Sequence, residues 1–334
     1  MQYTIAIKLG SSNTSILKQG EGLVLFEPSL VAFSGGEKDR TIRAVGARAK
    51  RMLGRTDERT KVCSPINKGK IADPKLCEVM LKYFLEKVLG KGLVKPKIKA
   101  VCCVPLSYGI QDRKVLEDVC YNVGIFDVKI VPSIMCGALG YNFDVNEPKG
   151  ICVVNIGGGS TDIAVCSMNS IIAGVNVGVG GLAIDEAIEK LILDKFKLHI
   201  GYGVAEKLKE DVASLYKNDS SSAEISGIDI ESKMAKDQVV YSSDLYSAIE
   251  PFYASVVEAV KTVLNNCPPN IVQDVVSGGI CLMGGASFVT GVEQYFKKQL
   301  GIFVRLEDYT TAIDCLGAGK LLNDNNLLKM YTEI

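Results

Sequence analysis

Along the 334 residues, short runs of β-branched and other apolar side chains alternate with longer stretches whose apolar positions recur every three or four residues. The first pattern suits buried strands and the second suits helices with one face in a core, so an α/β protein is predicted. Residues 5–9 and 151–156 predict strands, as do 280–283. Helices are predicted over 184–196, over 253–264 ahead of Pro268-Pro269, and over 289–300. The first of these carries Asp185, Glu186 and Glu189 in its opening turns, where the helix dipole favours negative charge. A further helix places Glu206 and Lys209 three residues apart on one face, as a solvated pair. Residues 218–237 are polar and serine-rich, and predict an exposed arm or insertion.

Laid on itself, the chain repeats. The segment IAIKLGSSNTSIL at 5–17 aligns with CVVNIGGGSTDIAV at 152–165, which puts Gly10 on Gly157, Thr14 on Thr161 and Ile16 on Ile163. Each copy reads as strand, glycine turn, strand. The turns Gly10-Ser11-Ser12-Asn13-Thr14 and Gly157-Gly158-Gly159-Ser160-Thr161 offer consecutive N–H and hydroxyl donors, a nest for an anionic oxygen. One such turn is an ordinary hairpin; two that face one another would clamp a polyphosphate between the halves. A third glycine turn, Gly284-Gly285-Ala286-Ser287, lies between a strand and a helix and puts backbone donors at a helix N-terminus.

Charge narrows the choice of partner. The 38 Lys and Arg balance the 38 Asp and Glu and are interspersed with them, so no nucleic-acid partner is expected. With 47% apolar and 23% charged residues, the chain has the composition of an ordinary globular protein and the length of about two domains. No apolar run reaches the roughly 18 residues of a spanning helix, and MQYTIAIKLG lacks the layout of a signal peptide. A cytoplasmic protein with its 11 cysteines as reduced thiols is therefore expected. Without a CxxC, and with His199 alone and far from any cysteine at ligand spacing, neither a zinc site nor histidine-dependent catalysis is expected.

The order of these parts resembles the actin-like ATPase superfamily and, within it, the bacterial MreB family. The matching pieces run nearly end to end: GEGLVLFEPSLVA at 20–32, AVGARAKRMLGRT at 44–56, KIAD at 70–73, VCCVP at 101–105, residues 150–164, DEAI at 185–188, residues 205–209, NCPP at 266–269 and residues 279–285. The resemblance implies an α/β actin-like ATPase fold, two duplicated ribonuclease-H-like domains around a nucleotide cleft, each with a smaller subdomain. The domains expected are 1–145, with a small subdomain at about 30–65, and 146–315, with one at about 183–240. Residues 316–334 would return to the first domain as a C-terminal helix. It further implies ATP in the cleft and head-to-tail protofilaments of the chain with itself, at the inner face of the cell membrane. Shape maintenance would come through the cell-wall synthesis machinery, with an ordinary MreB as a companion. Carried over by position, Ser12, Asn13 and Thr14 would hold the terminal phosphates with Gly158, Gly159 and Ser160, in turns opened by Gly10 and Gly157. Glu206 and Lys209 would flank the ribose and adenine, and Gly284, Gly285, Ala286 and Ser287 would line the base and α-phosphate side. Thr161 takes the place of a threonine that helps orient water.

The departures bear on catalysis. The family's aspartates on the two hairpin strands are replaced by Lys8 and Asn155, and its Gly-Gly-Asp by Gly180-Gly181-Leu182. In the segment where it reads Glu-Glu-Pro before a small-residue helix, this chain reads Val131-Pro132-Ser133-Ile134-Met135-Cys136-Gly137-Ala138, so the glutamate is replaced near Pro132 and Ser133. The carboxylates that organise magnesium, and the glutamate that positions the attacking water, are thus missing. Phosphoryl transfer rests on positioning and metal charge, so ATP binding with weak or absent hydrolysis is expected. Lys8 would either supply part of the missing positive charge to the phosphates or snorkel out of the cleft. Two alternatives stay open: an active ATPase with a rebuilt metal site, and a non-polymerising regulatory module that binds a partner through 218–237. For the membrane, the loop 91–97 offers Leu93 and Val94 between lysines, a tip suited to an anionic leaflet.

Overall fold

The computed structural model describes residues 2–36, 39–90, 96–144, 146–308 and 310–332. Two five-stranded sheets carry the architecture. In the first, Gln2–Leu9 and Asn13–Lys18 form an antiparallel hairpin, Gly22–Pro28 extends it, and Lys97–Val104 and Ile125–Pro132 add in parallel on the other side. The second follows the same plan, with the hairpin Ile151–Ile156 and Thr161–Ser167, then Ser170–Val177, and Ile280–Met283 and Val304–Arg305 in parallel. Strand for strand the connections match, so the repeat in the sequence is a repeat of topology.

Parallel strands need crossovers, and amphipathic helices supply them. Pro74–Leu89 shows how locally such a helix is specified. The Asp73 carboxylate accepts from the Leu76 N–H at 3.0 Å, proline occupies the first turn, and Gly90 ends the helix at positive φ. Its buried residues, Leu76, Cys77, Met80, Leu81, Phe84 and Leu85, fall on one stripe. The helix predicted over 253–264 starts earlier and spans Ser242–Asn265, with Pro251 inside it. The one predicted from 289 begins at Val292, because Gly285–Phe288 is a single 3₁₀ turn and Gly291 takes a left-handed conformation.

The serine-rich segment is not a loose arm. Ser222–Asp229 and Ala235–Tyr241 pair antiparallel and join Leu198–His199 in a three-stranded sheet. Ile225 and Val240 are the buried side chains of that hairpin, and so sparse an apolar row in polar surroundings is a weak signal in sequence. The first half carries its own small sheet, of Val31–Ser34, Thr41–Val45 and Thr60–Cys63.

Three large apolar clusters hold the described residues together. One lies in the first half around Ile5, Ile7 and Phe84, and one in the second around Ile188, Tyr253 and Phe296. The third joins Ala6 and Val101 of the first sheet to Val153 and Cys281 of the second, through the helices Ser133–Gly140 and Ile313–Leu321. Those helices touch backbone to backbone: a Cβ on Gly317 would strike the Cys136 carbonyl, and one on Gly140 the Ile313 carbonyl. The cysteines are all free, and most are buried as small apolar side chains. Among the described residues no helix is long and apolar enough to cross a membrane.

Candidate functional site

The two hairpins meet at their tips. Each turn closes with the same bond, Gly10 N–H to the Asn13 carbonyl at 3.1 Å and Gly157 N–H to the Ser160 carbonyl at 3.0 Å. Contact between the tips requires the second to be bare: a Cβ on Gly158 would collide with the Ser12 side chain, and one on Gly159 with that of Ser11. The opening amides of the helix Gly181–Phe196 donate to the carbonyls of Gly157 (2.8 Å) and Gly158 (2.9 Å). Among the described residues no acceptor takes the N–H groups of Ser11, Ser12, Gly158, Gly159 or Ser160, so both turns keep free donors for an anion.

A cavity of about 380 Å³ lies between the halves. Lys8, Gly10, Ser12 and Asn13 line it from one side, and Gly157, Gly158, Gly159, Ser160, Glu206 and Lys209 from the other. Gly284, Gly285 and Ala286 complete that second wall. Gly284 sits at φ +90°, where a Cβ would strike the Ile156 carbonyl. Ser133 lines the cavity; Pro132, which ends the strand before it, does not.

Three of the expected contacts are corrected. Thr14 is buried with its hydroxyl 2.8 Å from that of Ser29, Thr161 donates to the Val179 carbonyl at 2.9 Å, and Ser287 donates to the Met283 carbonyl at 2.8 Å. None of them lines the cavity. The cause for the two threonines is strand alternation: Asn13 and Ser15 face the cavity and Thr14 faces away, just as Ser160 and Asp162 face it and Thr161 does not. Ser15 and Asp162 were readable from that alternation and were not singled out.

Three of the cavity's charged groups, Lys8, Glu206 and Lys209, are ion-paired, though not as the spacing suggested. Glu206 and Lys209 do not form a pair of their own. Lys209 reaches Asp185 at 2.7 Å, and Glu206 reaches Lys50 of the first half at 2.8 Å. Burial pushes the Asp185 carboxyl up to about 6, against the pull of Lys209. Lys8 lies 2.5 Å from the fully buried Asp314. Burial alone would lower the pKa of Lys8, but Asp314 outweighs it and the ammonium is held above its ordinary value. Asp162 Oδ1 accepts from Asn176 (2.7 Å) and from the Leu106 N–H (3.2 Å), and burial pushes its carboxyl up to about 6. Asn155 Oδ1 is buried without a partner. Two half-exposed rings, Phe26 and Phe288, also border the cavity and carried no signal in the sequence pattern.

This floor does not suit a magnesium ion, which wants several uncommitted oxygen ligands in octahedral array. Beside the Lys8 ammonium it offers an amide at Asn155, a hydroxyl at Ser133 and a carboxylate at Asp162 with one oxygen already committed to two donors. Among the described residues no three His, Cys, Asp or Glu side chains are grouped to hold a metal.

The model of the family described as MreB/Mbl protein matches residues 2–330. The chain belongs to the MreB/Mbl family. Among curated members, the cell shape-determining protein Mbl of Bacillus subtilis (strain 168) is 32% identical over 326 residues, 97% of either chain. Among solved structures, MreB5 of Spiroplasma citri bound to AMPPNP superposes with a TM-score of 0.90 at 26% identity, covering 98% of both chains. A MamK double helical filament gives 0.80 at 20% identity over 97% of this chain and 99% of that one, a likeness of fold. The actin-like fold implied by the MreB resemblance is thus borne out, in a family whose curated members are cell shape-determining cytoskeletal proteins. The expected membrane-facing residues, Leu93 and Val94, lie outside the described residues.

Proposed function

We propose that the chain is an MreB-like cytoskeletal filament protein that binds ATP between its halves and hydrolyses it weakly or not at all. The observation that carries this is the pair of opposed hairpin tips, whose free N–H groups line one cavity from two sides. The AMPPNP bound by the Spiroplasma relative and the double helical filament of MamK support the nucleotide and the self-association. Bound there, ATP supplies a transferable phosphoryl group. The chain's own residues would hold the phosphates on backbone donors and keep Ser133 and Asn155 where a carboxylate would activate water. An active ATPase is the second reading, favoured by Asp162, a lining carboxylate whose raised pKa suits a proton acceptor.

Phosphate release and sedimentation, followed together on purified protein with ATP and magnesium, decide between them. Polymer that pellets with little turnover is expected, and the triple variant Lys8→Asp/Ser133→Glu/Asn155→Asp should raise turnover at least about tenfold. Fast turnover in the wild type that is lost in Asp162→Asn would overturn the first reading in favour of the second.

A further inference from the structure

The cleft floor holds an ammonium that carries its own counter-ion. Lys8 projects from the strand Gln2–Leu9, and its partner Asp314 sits in the first turn of the helix Ile313–Leu321, fully buried. One oxygen of Asp314 accepts from the Cys315 N–H at 2.8 Å; the other meets Lys8. An ammonium has three donors to place. Among the described residues Lys8 has no acceptor besides Asp314, and it lines the same cavity as Ser11 and Ser12 with their free N–H groups. Its remaining donors therefore open on the space between the two turns.

We propose that Lys8 neutralises the polyphosphate in place of a divalent cation, so that nucleotide binding does not depend on one, and that Asp314 is the positioning residue that holds the ammonium at the floor. This rests on the nucleotide reading above. A divalent ion drawn to the same phosphate oxygens would meet the repulsion of Lys8 without the set of free carboxylates it needs. The tethered ammonium needs only the one carboxylate behind it. Asp314 also keeps Lys8 charged. The titratable groups that act on Lys8 are Asp314 and Cys315 on one helix, Cys103 on Lys97–Val104 and Asp162 on Thr161–Ser167. Both thiols are pushed well above their ordinary range, Cys103 by its hydrogen bond with Cys136 and by burial, Cys315 by burial, which leaves the carboxylates to set its state.

Calorimetric titration of AMPPNP into the full chain, in magnesium and again in EDTA, is the test. The two dissociation constants should agree within about threefold. Lys8→Met should weaken binding in EDTA by at least about tenfold, and Lys8→Asp should create a requirement for magnesium. The paired change Lys8→Met/Asp314→Leu replaces a buried ion pair with apolar side chains and should keep the fold, yet show the same loss. In Asp314→Asn the ammonium loses its counter-ion, so affinity should fall between about pH 7 and pH 9 while the wild type stays flat. A merely structural contact would not produce that pH profile. Binding by the wild type only with magnesium, or wild-type affinity in Lys8→Met under EDTA, overturns the inference and leaves the nucleotide reading standing. No AMPPNP binding in either buffer overturns both.

Discussion

Two residues ahead of its turn glycine, the first hairpin pairs Lys8 across the strands with Ser15; at the equivalent rung the second pairs Asn155 with Asp162. The backbones are the same and the chemistry is complementary. The first hairpin contributes a cation and two serine side chains at its tip, and the second contributes a carboxylate and bare glycine. Each charge is also held differently. Lys8 is tied to a helix from the far end of the chain, whereas Asp162 is tied to its cross-strand neighbour Asn176 and to the Leu106 amide. A duplicated fold thus fixes where groups stand and leaves each copy free to choose what stands there.

The largest expected effect breaks the asymmetry of the tips. Gly158→Val drives a branched side chain into Ser12 and should cost about 2–3 kcal/mol of stability. Nucleotide binding should fall with it, and adding Ser12→Gly should recover part of both in thermal melts and titrations. Ser11→Ala on the first tip removes only a hydroxyl that accepts from Gly69 and should cost about 1 kcal/mol.

A middle-sized effect tests the rung. Burial pushes the folded carboxyl of Asp162 up to about 6, from an ordinary 3.8. The folded state therefore binds the proton first, so this group's stability contribution is fully present below about pH 4, falls away towards about pH 6 and is flat above. Asp162→Asn keeps an acceptor for both donors on Oδ1 and abolishes the titration. The variant should match the wild type near pH 4 and be up to about 2 kcal/mol more stable at pH 7, checked by melting temperatures across that range.

The smallest effect concerns the tie between the halves. Lys50 is half-exposed, and its pair with Glu206 should contribute about 0.5 kcal/mol. Lys50→Ala should lower the melting temperature by about a degree or two at low salt, with no difference from wild type in about 1 M salt.

Most of the framework was legible in sequence because its signals are local. The glycine turns and the paired strand runs are each written within a few residues. What was missed depends on contacts between distant segments. Nothing near Asp314 marks it as the partner of Lys8, and nothing near Glu206 points to Lys50 rather than to Lys209. The threonines were misplaced for a different reason. Thr14 and Thr161 have the right chemistry for phosphate, but the two-residue period of the strand, which the sequence does contain, turns them to the other face.

The apolar cluster between the sheets has a consequence for how the molecule fails. Ala6 and Val101 share it with Val153 and Cys281, and the two helices that fill it pass too closely to part without baring backbone. Melting one half would bare apolar surface that belongs to the other as well, so the shared cluster couples the stability of the two. For all its duplicated parts, the chain passes damage from one lobe to its twin through that seam.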